Sequence, residues 1–501
     1  MLQTDKEWKR LALALIAVGA ALRLYGLTAM EFKFDEQEAL NQSIRFLDER
    51  LWMSVRTWPT HGMLSSNRVG NAPLFTWIVA AVWRLVPHPV AIAAFVAIVN
   101  VLCLHPLWLW ARRHMDDFRA TLTLALCAVS PFAVLFSRKI WTQDLLLPGV
   151  LCLLNGVDAL RDGRVWKGTA LFLGATLVVG QLHQSGIIAF ALLPLAFAVQ
   201  YVVDRVTGRS WSASGKLSPA SRRELAVVAV LVVLNLAFWL PYFSYLLELP
   251  PKTLAERPQV DVLGLFLLRK VQWQVIPLDL FYFFDPHRAD FLNGTLRRVF
   301  YNGSVWLGAP LFVYGLWQWL RTPSTLPVLS FWWWFIILAF GLSRIPTFPF
   351  YTLILTPLPA VLAAGVFDGP LPWKWLSRAR DTWRVAYVVA ILGLAVTTQA
   401  WLVGRGGAAG DYGIGYERRA AQAQVLISQT ETHRPETFFE LGELRPTEGR
   451  FFLKCAPIPV EVLWIAHRIR KSETEVGRSW RICDTWIDRN GRLEYRWTLR
   501  P

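Results

Sequence analysis

The chain is predicted to be an all-α polytopic membrane protein with a small α/β domain outside the membrane at its C-terminal end. Three observations predict it. The 501 residues are 54% hydrophobic and only 18% charged, with 26 Trp and 30 Phe. Apolar runs of bilayer length recur from residue 10 to residue 404, which is the composition of a membrane chain. The remainder, 405–501, is hydrophilic and carries alternating apolar pieces.

The elements follow in order. Apolar runs predict spans at 10–28, 89–111, 119–137, 144–161, 166–182, 185–203, 223–246, 299–320, 325–343, 349–366 and 384–404, so about 11 spans of the length a bilayer requires. The first run has no small-residue cleavage site behind it and reads as a retained helix. Residues 72–87 are apolar but short and include Arg84, which predicts a helix lying in the interface. Glu36 to Trp52 places Leu40, Ile44, Leu47 and Leu51 on one stripe, the pattern of a second interfacial helix. In the tail, 416–429 reads as a helix, and Phe451-Phe-Leu-Lys and Leu493-Glu-Tyr-Arg-Trp-Thr-Leu read as strands.

Charge sets the sidedness. If 72–87 does not cross, the basic groups Lys6/Lys9/Arg10, Arg112/Arg113/Arg119, Arg161/Arg164/Lys167, Arg205/Arg209/Lys216 and Lys374/Arg378/Arg380 share one face, as the positive-inside rule expects. The net charge of +16 is thus an orientation signal and predicts no nucleic-acid partner. The N-terminus is expected in the cytoplasm of a cell that keeps this chain in its inner (plasma) membrane. Three segments are expected outside: 29–88, 247–298 and the tail 405–501. The domain division is therefore 1–404 in the membrane and 405–501 outside it.

The outer face collects chemistry. Asp35 and Glu36 stand where the chain leaves its first span, and Asp144 stands at the outer start of another. Ionisable groups at such depth are costly and usually functional. Each Asp also fits helix capping, with Asp35 and Glu38 matching a capping box. Arg56, Arg68, Arg138, Lys139 and Arg344 are basic residues on the face that charge bias disfavours, and guanidinium groups suit phosphate oxygens. His183, between two spans, reads as a polar turn or a ligand. No His or Cys spacing marks a metal site and no Gly-rich loop marks a nucleotide. No cofactor is required, though Asp35 and Glu36 are suited to a divalent cation shared with phosphate. Cys103, Cys127 and Cys152 fall in spans, whereas Cys455 and Cys483 lie in the outer tail, where an oxidising compartment favours a disulfide between them.

Leu22-Arg-Leu-Tyr-Gly-Leu followed by Phe34-Asp35-Glu36 resembles the opening of the first outer loop of GT-C-type glycosyltransferases, the protein O-mannosyltransferases and aminoarabinose–lipid A transferases among them. Asn71-Ala-Pro-Leu-Phe-Thr-Trp, Ser130-Pro through Asp144, Ser343-Arg-Ile-Pro-Thr-Phe-Pro-Phe-Tyr and Gly410-Asp-Tyr-Gly-Ile resemble later motifs in the same order. The 247–298 loop is too short for the large lumenal domain of eukaryotic members, so the resemblance is to the bacterial type. Phe348 and Arg344 depart from the pattern of the aminoarabinose branch.

The resemblance implies a GT-C fold and transfer of a sugar from a polyprenyl-phosphate donor to a lipid, glycan or protein hydroxyl, with inversion. It implies Asp35 as the base, assisted by Asp144 and Glu36. Arg56, Arg68, Arg138, Lys139, His183 and Arg344 would contact substrate. A transporter or flippase for a lipid-linked glycan is the second class, although no pair of repeated halves is visible.

Overall fold

The computed structural model describes residues 4–54, 58–63, 69–207, 221–248, 271–285, 287–322, 326–342, 349–369, 373–408, 412–421, 424, 450–453, 456–459, 485–487 and 493–495. These are mostly helical. The helices run α1 Asp5–Leu24, α2 Phe34–Asp48, α3 Leu74–Leu85, α4 Pro89–His114, α5 Asp117–Val129, α6 Pro131–Phe136, α7 Leu146–Arg161, α8 Val165–Ala175, α9 Gln184–Val206 and α10 Arg222–Glu248. They continue as α11 Arg288–Asn293, α12 Thr295–Arg321, α13 Pro327–Leu342, α14 Leu358–Ala364 and α15 Lys374–Arg405.

Local sequence explains several boundaries. Thr4 caps α1 by accepting from the Glu7 N–H at 3.3 Å, and Glu7 accepts the Thr4 N–H at 2.9 Å, a reciprocal capping box. Pro89 opens α4 behind His88, and Gly406 ends α15 with φ of 65°, a left-handed stop that glycine tolerates. One core, from Ala12 to Ala395, joins α1, α4, α5, α7, α13 and α14. A second, aromatic cluster packs Phe132, Phe136 and Trp141 against Phe283, Phe284, Trp401 and Tyr412.

Five helical stretches among the described residues are long and apolar enough to cross a membrane: Pro89–His114, Thr142–Arg161, Gln184–Val206, Arg222–Glu248 and Lys374–Arg405. The expected number was about 11, and the difference has physical causes. The 119–137 run is two helices, because Pro131 interrupts the N–H ladder and α5 stops at Val129. The 349–366 run is a 3₁₀ turn, Pro349–Leu355, followed by the seven-residue α14, which ends at Gly365 with φ of 82°. α1 and α12 have the length but open on charged residues, Asp5 to Arg10 and Arg297–Arg298.

The short α3 has 12 residues, well below the ~20 that a span needs. It packs on α2, where the Ser43 hydroxyl donates to the Thr76 carbonyl at 3.0 Å. In the tail, 416–421 is helical. Two separate antiparallel strand pairs follow, β1 Arg450–Leu453 with β2 Ala456–Pro459 and β3 Thr485–Ile487 with β4 Leu493–Tyr495. Cys455 and Cys483, and with them the expected disulfide, lie outside the described residues.

Candidate active site after the first helix

The site begins where α1 ends. Gly26 takes a left-handed φ of 55° and the chain turns into a short 3₁₀ segment, Leu27–Ala29. Residues 28–32 are then held by residues 412–417, remote in the sequence. Phe32 N–H donates to the Ile414 carbonyl at 3.2 Å, and Tyr416 N–H donates to the Met30 carbonyl at 2.9 Å. The Tyr412 hydroxyl donates to the Ala29 carbonyl at 3.0 Å, and the Thr28 hydroxyl to the Glu417 carboxylate at 2.7 Å. The pairing of 406–408 with 412–416 is close, with Gly415 N–H bonded to the Gly406 carbonyl and Ala408 N–H to the Gly413 carbonyl, each at 2.9 Å. These residues form a strap across the loop that leads to α2.

α2 starts earlier than its sequence suggests. Lys33, not Asp35, is the N-cap, and Glu36 three positions on accepts the Lys33 N–H at 3.0 Å. Asp35 therefore lies inside the first turn, half-buried, where the positive end of the helix favours a carboxylate. The stripe is present but shorter: Leu40 and Ile44 are buried, while α2 ends at Asp48 and Leu51 falls in a separate 3₁₀ turn.

Glu31 stands at the centre of the site, and sequence reasoning passed it over. Its carboxylate is fully buried and takes Lys33 Nζ on one oxygen at 2.5 Å and Lys139 Nζ on the other. Burial pushes the Glu31 carboxyl upward, against the pull of the two lysines. Lys139 is enclosed by aromatic faces: Trp141 at 4.3 Å, Phe136 at 4.8 Å, Tyr412 at 5.5 Å and Phe283 at 5.8 Å from the ring centres. Such faces attract an ammonium group by their quadrupoles. Glu36 is buried below this cluster. Burial first, and then the Glu31 charge, push its carboxyl well above the ordinary range. Glu38, on the same turn, is also raised by burial, with Asp35 adding to the effect.

Asp144 reaches the cluster from the other side. It lies in a 3₁₀ turn, Thr142–Leu145, ahead of α7. It is no helix cap, since neither buried carboxylate oxygen has a hydrogen-bond donor among the described residues. Its backbone carbonyl accepts from Asn100 at 2.7 Å, and Lys139 and Glu31 are within electrostatic reach of it. The structure thus gathers Glu36, Glu31, Lys139 and Asp144 into one buried cluster of ionisable groups, with Asp35 on its margin.

The other sequence-predicted residues divide. The Arg138 guanidinium is buried and donates to the Gln399 side chain and, at 2.6 Å, to the Gly26 carbonyl. Both Arg138 and Lys139 are thus turned onto partners within the protein. His183 is buried, accepts the Ser185 N–H at 3.2 Å and caps α9; burial pushes its imidazole down to about 3, so it is neutral. Beside it, Gln184 donates to the Val69 carbonyl at 3.0 Å, and Tyr242 of α10 donates to the Gly70 carbonyl at 2.9 Å, which anchors the Asn71-Ala-Pro stretch. Arg56, Arg68 and Arg344 lie outside the described residues. Among the described residues no group of three His, Cys, Asp or Glu side chains is arranged to hold a metal.

No protein-family model and no curated protein sequence matches the chain. Among solved structures, the chain is similar to the archaeal oligosaccharyltransferase AglB of Archaeoglobus fulgidus, in complex with an inhibitory peptide and a dolichol-phosphate. The identity is 14% and the TM-score 0.43, over 89% of this chain and 61% of that one. The apo form of the A. fulgidus oligosaccharyltransferase gives 13% and 0.44, over 90% and 62%. The S. cerevisiae protein O-mannosyltransferase Pmt1–Pmt2 complex bound to the sugar donor gives 15% and 0.33, over 58% and 37%. The chain spans about three fifths of the length of the archaeal structures. Likenesses this weak carry none of the reading of the site, which rests on its own residues. The structures found similar to this chain are glycosyltransferases of the GT-C type.

Proposed function

We propose that the chain is a membrane glycosyltransferase that moves a sugar from a polyprenyl-phosphate donor to a lipid, glycan or protein hydroxyl at the outer face, inverting the anomeric centre. The observation that carries this reading is the placement of Asp35. Asp35 is a half-buried carboxylate in the first turn of an amphipathic helix, and the residues on either side of it, Lys33 and Glu36, are held in a network with Glu31 and Lys139. A base needs a fixed direction relative to the hydroxyl it deprotonates, and this support supplies one. The sequence resemblance through Phe34-Asp35-Glu36 adds to it.

In this mechanism Asp35 accepts the proton of the acceptor hydroxyl as its oxygen attacks the anomeric carbon. The bond from that carbon to the lipid phosphate breaks, and polyprenyl phosphate leaves carrying the electron pair. Arg56, Arg68 and Arg344 are proposed to meet the departing phosphate, where charge develops. Arg138 and Lys139 hold the scaffold behind the site, Glu36 keeps the first turn of α2 in register, and Asp144 assists from the opposite wall.

The test is release of polyprenyl phosphate from a radiolabelled lipid donor by the purified chain in nanodiscs. Asp35→Asn keeps the size of the side chain and should lower release by 100-fold or more, in the range expected when a general base is lost, with an unchanged melting temperature. Near-normal turnover in Asp35→Asn would overturn the assignment.

A further inference from the structure

A cavity of about 50 Å³ lies between the helix break at Ser130 and the turn that carries Asp144. Its polar wall includes Arg23, Asn100, Ser130, Gln143, Asp144 and Gln274. Two of these side chains reach it with unmet hydrogen-bonding capacity. Asp144 is 3% exposed and Arg23 2% exposed, yet both carboxylate oxygens of Asp144 and the Nε of Arg23 lack a partner among the described residues. The other guanidinium nitrogens of Arg23 are engaged, on Gly19, Ala128 and Cys127 carbonyls.

Opposite charges on the walls select the occupant. A cation would be held by Asp144 but repelled by Arg23, and an anion the reverse. A neutral molecule that both donates and accepts satisfies both walls. The volume fits about three to five molecules of water, at roughly 10–15 Å³ of accessible volume each. Apolar cavities of comparable kind stay dry, whereas polar ones with several unmet partners are wet.

We infer that this cavity is a hydrated compartment, a site for a small cluster of ordered water that bridges Arg23 to Asp144. The water donates to the Asp144 carboxylate, accepts from Arg23 Nε, and allows two buried side chains to stay polar without touching. The inference concerns solvent alone and does not depend on the transferase reading.

The sign of one substitution tests it. Ala133 lines the cavity. Were the space dry, Ala133→Leu would fill it and raise the melting temperature of the full chain in lipid nanodiscs. In a hydrated compartment the same change expels water, strands Asp144 and Arg23, and lowers the melting temperature. Adding Asp144→Leu to Ala133→Leu should then restore most of the loss. A rise in Ala133→Leu, or no recovery in the double variant, would overturn the inference. A cryo-EM map of the unmodified chain that shows ordered water supplies a second readout. At least two peaks within hydrogen-bonding distance of the Asp144 carboxylate are expected, and an empty cavity in such a map also overturns it.

Discussion

Glu36 carries a carboxyl whose charged form the fold resists. Its value lies well above the ordinary 4.5 because burial, and then the Glu31 charge, disfavour ionisation. For an acid raised in this way the stabilising contribution is complete below about 4.5, where folded and unfolded chains are both protonated. It is lost as pH rises through the folded value, because the unfolded chain ionises first. Glu36→Gln fixes the neutral form and keeps an oxygen for the Lys33 N–H. Its melting temperature should therefore fall less than that of the unmodified chain between mildly acidic and mildly alkaline pH. A parallel pair of melting curves would defeat this account. Asp35, Glu36 and Asp144 were legible in the sequence because carboxylates beside apolar runs stand out. Glu31 was not, since its two lysines define it and one of them, Lys139, is remote in the chain. The cap was legible as a type but misplaced, because Asp35–Glu38 and Lys33–Glu36 share the same spacing, and what is built is the single bond from the Lys33 N–H to Glu36.

At the scale of elements, the break between α5 and α6 shows what hydropathy leaves out. An apolar average runs through Ser130-Pro131 without a dip, but Pro131 has no N–H for the Cys127 carbonyl. Arg23 supplies the missing donor, reaching Cys127 at 3.0 Å and Ala128 at 2.6 Å from α1. Its place in Leu22-Arg-Leu-Tyr-Gly-Leu therefore has a mechanical reason: it caps a helix it does not belong to. Arg23→Met should destabilise the chain by about 1–3 kcal/mol for each carbonyl left bare. Pro131→Ala restores an N–H for Cys127 and should recover part of that loss when combined with Arg23→Met. Additive losses in thermal unfolding of the single and double variants would sink this account. The short helices α2 and α3 were legible because their short, one-sided apolar patterns fit no span. The 349–366 segment was not, as its interruption at Pro349–Leu355 and Gly365 is conformational rather than compositional.

At the scale of the whole molecule, sidedness is a matter of summed charge. Single cysteines placed at Arg84 and in the 430–445 region of a cysteine-free chain should react with an impermeant thiol reagent in intact cells. One placed at Arg113 should stay protected until the membrane is opened, and labelling at 113 with protection at 84 would instead favour a chain in which 72–87 crosses the membrane. The strap was the least legible part of the site, because its bonds join segments remote in the sequence, 28–32 and 412–417. Gly407 has φ of 106°, and a Cβ there would come within 2.3 Å of the Gly415 N. Gly407→Ala should open the strap and speed hydrogen exchange at 28–32, while exchange in α4 stays slow; unchanged exchange at 28–32 would show that the strap does not hold the loop. The strap also sets a clock. Tyr412 and Ala29 are joined by a hydrogen bond across 383 residues. A ribosome adding about 5–20 residues per second takes roughly 20–80 s to travel from one to the other. Throughout that interval α2 is already made but its clasp is not, so the newborn chain lacks the clasp on its acidic loop until the residues after α15 have been made. Completion of the site is thereby tied to synthesis of residues 412–417, and a chain released before them would carry its carboxylates in an unfinished frame.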